Sequence, residues 1–238
     1  ADPLLVAVGA IVGASGLLLT RIMCRAMNRS LAAVLAGRTT AGVARSAEDP
    51  EAVPTAAGEA SRAESADPAA ILARARRIII VPGYGMALAQ AQTQVKAVYD
   101  YLTERGREVK FAIHPVAGRM PGHMNVLLAE VEIPYDRLVE MDEINPEFAS
   151  TDVALIVGAC DVVNPAAMTA EGTPLYGMPV LRADEAAAAI ICNRDRMPGY
   201  SGVPNPLYDR PNAIFLAGDA AETLATLLAE LKELQPSS

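Results

Sequence analysis

Cysteine, histidine and clustered positive charge are all scarce in this sequence. The 238 residues hold three cysteines, Cys24, Cys160 and Cys192, and two histidines, His114 and His123. No two cysteines stand at a CxxC spacing, which argues against a disulfide framework and a zinc site and fits a reducing compartment. Twenty Lys and Arg face 28 Asp and Glu, a net charge of -8. Sequence-independent nucleic-acid binding needs clustered cations, so a nucleic-acid partner is not expected. No internal repeat and no adjacent nucleophile–base pair is visible. What is present is ordinary for a folded protein, with 52% hydrophobic and 20% charged residues. The length predicts one main domain with an appendage.

Composition divides the chain into residues 1–30, 31–66 and 67–238. Leu4 to Thr20 carries no charge (LLVAVGAIVGASGLLLT). Seventeen residues is the lower edge for spanning a hydrocarbon layer of roughly 30 Å, so a transmembrane helix is expected, a buried soluble helix being the alternative. Arg21, Arg25 and Arg29 follow it, which places the rest of the chain on the cytoplasmic side. Gly9, Gly13 and Gly16 share one helical face, as suits close packing in a helix bundle. The abrupt start reads as a piece of a longer protein. Residues 31–66, with the run RSAEDPEAVPTAAGEASRAESAD, lack large apolar side chains and read as a flexible linker. Residues 1–66 hold six cations and six anions, so the whole -8 falls on residues 67–238.

The third part alternates. Asp67-Pro68 is a helix start. Apolar runs at Ile78–Val81, Glu108–Ile113, Val153–Val157, Met178–Leu181, Ala187–Cys192 and Ala213–Ala217 read as six strands. A long helix reaching about Arg105, a helix over 122–131 and a last one over Ala220–Leu234 lie between or after them. Unbroken apolar strands alternating with helices predict an α/β fold with a doubly wound parallel six-stranded sheet.

Four loops after strands carry polar groups. Gly83-Tyr84-Gly85-Met86-Ala87 opens a GxGxxxA turn between strand and helix, where backbone N–H groups and the helix end favour a phosphate. The glycines are read as permitting the tight turn and close backbone approach. The second strand ends in His114, with no carboxylate for a ribose 2′-hydroxyl, against ordinary NAD binding. His114 to Asn125 (HPVAGRMPGHMN) fixes an irregular backbone, with Val116, Ala117, Gly118 and Met120 around a phosphate-suited Arg119. Its two histidines are metal ligands or hydrogen-bonded loop imidazoles, and no metal is expected. Gly158-Ala159-Cys160-Asp161 follows the VALIV strand, with Asn164 beyond. Asp161 either faces a ligand or caps the next helix. Cys160 and Cys192 read as packing residues. Arg194, Asp195, Met197, Gly199 and Tyr200 form a loop suited to a phosphate and to a lid. Gly218, Asp219 and Ala220 open the last helix, Asp219 read first as its N-cap.

Taken in order, VPGYGMALAQAQ, AIHPVAGRMPGHMNVLLAE, VGACDVVNPAA, YGMPVL, MPGYSGVPNPL and AGDA resemble the NADP(H)-binding domain of proton-translocating nicotinamide nucleotide transhydrogenase, at the C-terminus of its β subunit. The resemblance covers about residues 67–234. It implies a Rossmann-like, DHS-like NAD/FAD-binding fold, preceded by the last transmembrane helix and a linker. It implies a Re/Si-specific enzyme transferring hydride between NADH and NADP+ with proton translocation. NADP(H) would lie here and NAD(H) on the α subunit, in a dimeric assembly with a membrane domain, in a prokaryotic inner membrane. By the resemblance, Gly83, Tyr84, Gly85, Met86 and Ala87 belong to the pyrophosphate turn. His114 to Met120 and Gly158 to Asn164 also lie at the cofactor, with Asp161 the coupling switch near the nicotinamide. Arg194 meets the 2′-phosphate, Tyr200 belongs to the lid, and Gly218, Asp219 and Ala220 lie at the adenosine end. One departure stands out, Asn193-Arg194-Asp195 in place of Lys-Arg-Ser. A transporter's regulatory nucleotide domain and the middle domain of a thiamine-diphosphate enzyme are the alternatives.

Overall fold

The computed structural model describes residues 3–26 and 67–234. The expected linker, residues 31–66, lies outside the described residues. Helix α1 (Pro3–Ala26) covers the uncharged run. Its described side chains are exposed, Val6, Val12 and Leu17 each by 63%. The transmembrane helix expected there is not found, since among the described residues no helix is long and apolar enough to cross a membrane. The described middle of α1 is mostly small, with Gly9, Ala10, Gly13, Ala14, Ser15 and Gly16.

From Asp67 onward the chain alternates. Helix α2 (Pro68–Arg74) starts as expected, Asp67 accepting the Ala69 N–H at 2.9 Å with Pro68 behind it. Strand β1 (Arg77–Pro82) follows, then α3 (Tyr84–Leu88), α4 (Gln92–Glu104), β2 (Glu108–Ile113) and α5 (His123–Glu130). Next come β3 (Leu138–Glu140), α6 (Met141–Ile144), β4 (Val153–Val157), α7 (Ala166–Thr169), β5 (Ala188–Asn193), β6 (Ala213–Ala217) and α8 (Ala220–Leu234). All neighbouring strands are parallel, in the order β3-β2-β1-β4-β5-β6.

The unbroken apolar strands are explained by two cores. Ile78 and Ile80 point to one face, where α2, α4, α5 and α8 pack through Leu72, Val95, Leu102, Leu128 and Leu227. Ile79 and Val81 point to the other, against Ile144, Phe148, Leu181 and Leu207. Successive strand residues alternate faces, so a strand covered on both sides must be apolar throughout.

The turn after β1 holds the short α3, and beyond Gln90, at φ 50°, the long helix expected to reach about Arg105 follows as the 13-residue α4. One expectation for the sheet is corrected. Met178–Leu181 is not a strand. Pro179 has no N–H to donate to a ladder. The neighbouring backbone instead serves His114, Asn145 and Val162. The sixth strand is the three-residue edge β3, with Phe111 opposite Leu138.

Among the described residues both cores are built from residues 69–231. A fragment of residues 67–238 is therefore expected to fold without the first 66. Cooperative thermal unfolding followed by circular dichroism checks this, and a broad transition without a native baseline would contradict it.

Candidate functional site

The turn after β1 and the turn after β4 are pressed backbone to backbone. Gly83 N–H donates to Val157 O at 2.8 Å, Gly85 N–H to Gly158 O at 2.8 Å, and Gly158 N–H to Cys192 O at 3.0 Å. A Cβ on Gly85 would lie 2.7 Å from the Gly158 Cα, and one on Gly83 would strike the Gly158 carbonyl. Gly158 itself has φ +66°, and a side chain there would strike the Met86 N–H. The reason for glycine at 83 is therefore this close approach. Its own φ of -124° is ordinary extended backbone, not the special turn expected. The N–H groups of Gly83, Gly85 and Met86 are all engaged within the protein, so this turn offers an anion fewer donors than expected.

Above this junction, where the chain leaves β1 for one side of the sheet and β4 begins the other, lies a cleft of about 630 Å³. Tyr84 and Gly85 line it from the first turn, Val116 to Arg119 from the second, and Gly158 to Val162 from the fourth strand. Met178, Gly199 and Tyr200 complete the lining. Arg119 places its guanidinium 4.9 Å from the centre of the Tyr84 ring. It is the one cation of the lining, and Asp161 the one carboxylate.

The two histidines shape the second loop instead of facing the cleft. His114 is 2% exposed. Its Nε2–H donates to Pro179 O at 2.7 Å, and its Nδ1 accepts the Val116 N–H at 3.3 Å. Both nitrogens are used by a neutral ring, and burial lowers its pKa. His123 Nδ1 accepts the Arg119 N–H at 3.2 Å. Gly118, at φ +99°, leaves room for that imidazole, which a Cβ would strike. No group of three or more metal-binding side chains occurs among the described residues.

Asp161 does not cap the turn it begins, whose N-cap is Cys160 without a side-chain bond. Its Oδ2 accepts the Ser201 N–H at 2.8 Å and its Oδ1 the Ser201 hydroxyl at 2.7 Å. Beneath it Asn164 donates to Val203 O and Pro204 O, while Asn205 donates to Cys160 O. Cys160 is hydrogen-bonded to the Tyr208 hydroxyl, and burial pushes both pKa values up. A thiol held protonated is no nucleophile. Cys192 is core, its thiol pushed up to about 12 by burial.

Of the expected site residues, the structure gathers Tyr84, Gly85, Val116, Ala117, Gly118, Arg119, Gly158, Asp161, Gly199 and Tyr200 in the cleft. Gly83 lies in the junction below, Met86 is in the core and Ala87 packs on it. Met120 is exposed, and Arg194, Asp195 and Met197 stand exposed on the loop after β5. Gly218 and Asp219 line a separate cleft of about 530 Å³ near Asp67. Asp219 accepts the Ala221 N–H at 2.9 Å, the expected N-cap of α8, and Ala220 is buried beside it. Sequence reasoning missed the lining by Val162 and Met178 and the bonds of Ser201 and Asn205. A serine two residues after Gly199 carries no local pattern, and its partner lies 40 positions away.

A parallel α/β sheet with a cleft outside the carboxyl ends of its strands, at the point where strand order reverses, defines a ligand-binding domain of the open α/β class. The chain belongs to the NAD(P) transhydrogenase beta subunit family, whose model matches residues 1–230. It is similar to two curated proteins named NAD(P) transhydrogenase subunit beta, from Rhodospirillum rubrum and from a strain of that species. Each is 50% identical over 223 residues, 92% of this chain and 47% of the relative. The chain thus spans about half the length of these relatives. Neither a transporter's regulatory domain nor a thiamine-diphosphate enzyme finds support among them.

The His114 environment sets a pH dependence. The fold holds this ring neutral, whereas the unfolded chain takes up a proton below about pH 6.5. Stability is therefore full above that pH and lost as pH falls below it. Melting temperature is expected to drop between pH 7 and 5.5 by less in His114→Gln, whose amide keeps the bond to Pro179. Equal drops in both proteins would show that His114 is not the titrating group.

Proposed function

We propose that residues 67–238 hold NADP(H) in the cleft between the β1 and β4 turns, on a Rossmann-like sheet. In the longer protein this serves Re/Si-specific hydride transfer between NADH and NADP+, coupled to proton translocation. The observation that carries the reading is the pairing of Arg119 over Tyr84 with Asp161 across one apolar cleft, in a member of this family. The residues fit the ligand. Cofactor pockets run to about 300–1,000 Å³ with few polar groups, and this one has apolar walls at Val116, Ala117, Val162 and Met178. The end of β2 has no carboxylate for a free ribose 2′-hydroxyl, only the buried His114.

The loop after β5 bears on NADP selectivity. Asn193 turns inward, donating to Ala159 O and the Tyr208 hydroxyl, and offers nothing to a phosphate. Arg196 lies on the Phe215 ring and 3.4 Å from Asp209. Asp195 spends a carboxylate oxygen on the Met197 N–H. Arg194 is exposed and has no ion-pair partner among the described residues, so it is the cation we assign to the 2′-phosphate.

The bound nicotinamide supplies the hydride donor or acceptor carbon, so the chain itself needs no acid or base. Its residues orient and enclose. Arg119 and Arg194 hold phosphate charge, Asp161 fixes the covering loop and serves as the coupling switch, and the apolar walls exclude water. NAD(H) then belongs to the α subunit, in a dimeric assembly. The membrane domain then belongs to the rest of the longer protein, in a prokaryotic inner membrane, with residues 67–238 on the cytoplasmic side.

Arg194→Ala is expected to weaken NADP+ roughly ten- to hundredfold, the worth of a charge-assisted contact, and NAD+ little. Calorimetric titration of both nucleotides checks this. Equal weakening would remove Arg194 from the 2′-phosphate.

A further inference from the structure

The segment between β5 and the turn at Pro206–Asp209 is held unevenly. Its far base is pinned, with Asn164 gripping Val203 and Pro204 from beneath and Asn205 gripping Cys160. Its near side, residues 194–198, is exposed. Between them Gly199 to Gly202 closes a turn, Gly202 N–H donating to Gly199 O at 3.0 Å. The Tyr200 ring on that turn borders the cleft yet is 80% exposed. The tip is tied to the cleft floor at two points, by a backbone bond from Gly199 to the Cys160 thiol and by Ser201 at Asp161. Ser201 gives Asp161 both its N–H and its hydroxyl, at 2.8 and 2.7 Å, and its Oγ accepts the Val203 N–H at 3.2 Å. Gly199 makes room for this arrangement, since a Cβ there would lie 2.7 Å from Asp161 Oδ1.

We propose that Ser201 is a positioning residue for the cleft. Its hydroxyl and amide clamp the Asp161 carboxylate, hold the Gly199–Gly202 turn closed, and so set how long a bound nucleotide stays. The hydroxyl is the decisive part. It holds Oδ1 while the amide holds Oδ2, and it accepts the Val203 N–H, so without it Asp161 keeps one bond and is freer to rotate. The proposal rests on NADP(H) being the ligand of the cleft, and the test separates the two.

Two readouts are taken on the full chain with Ser201→Ala and Ser201→Thr. The first is hydrogen exchange of residues 197–203 without nucleotide, which reads the clamp alone. The second is NADPH release followed by its fluorescence in stopped flow. Ser201→Ala is expected to exchange and to release about tenfold faster, the lower end of a charge-assisted hydrogen bond. Association rate and melting temperature stay at parental values, and Ser201→Thr restores both rates. Unchanged exchange in Ser201→Ala overturns the clamp. Faster exchange with unchanged release overturns its control of residence. Failure of the parental chain to bind NADPH sinks the NADP(H) reading, and exchange then decides the clamp by itself.

Discussion

Close backbone contact among Gly83, Gly85 and Gly158 is the constraint on which the site depends. Three N–H groups, two after β1 and one after β4, close on carbonyls of the adjacent strand or turn. No side chain fits between them. The junction draws the turns together at the one place where the sheet's connections diverge, and the cleft opens directly above it. A methyl group at Gly85 would push the two turns apart and with them Tyr84 on one wall and Asp161 on the other.

The rest of the site is built by hydrogen bonds that spend polar groups on shape. His114, His123, Asn164, Asn193 and Asn205 all bind backbone or one another, leaving Arg119 and Asp161 as the charges that meet the cleft. This division fits the proposed reaction, in which carbons exchange hydride directly. Such chemistry asks for distance, orientation and dryness, and little else from the protein. On the proposed reading an acidic protein binds an anion through two local cations, Arg119 and Arg194.

Much of this was legible in the sequence where the signal was local. Ile78–Val81, Val153–Val157 and Ala213–Ala217 are unbroken apolar runs and are strands, since both faces of the sheet are covered. Asp67 and Asp219 read as N-caps and cap. Legibility failed where long-range bonds decided the matter. Met178–Leu181 is as apolar as a strand, but Pro179 and the demands of His114 and Asn145 keep it out of the sheet. Leu138–Glu140 is a strand only because Phe111 lies alongside. In the site, the glycines were found and close backbone approach was expected of them, though to a ligand and not to the opposite turn. The polar residues Asp161 and Asn164 were found without their partners across the loop, Ser201 and Val203, because a pairing 40 positions apart leaves no trace in spacing.

The central claim is that one nucleotide binds above the glycine junction. The most direct measurement is an amide chemical-shift map of the isotope-labelled chain titrated with NADP+. The account predicts the largest shifts at residues 84–85, 116–119, 158–162 and 199–201, four loops distant in sequence and joined only by the cleft. Shifts confined to the opposite end of the sheet, around Arg77, Lys110 and Thr151, would contradict it.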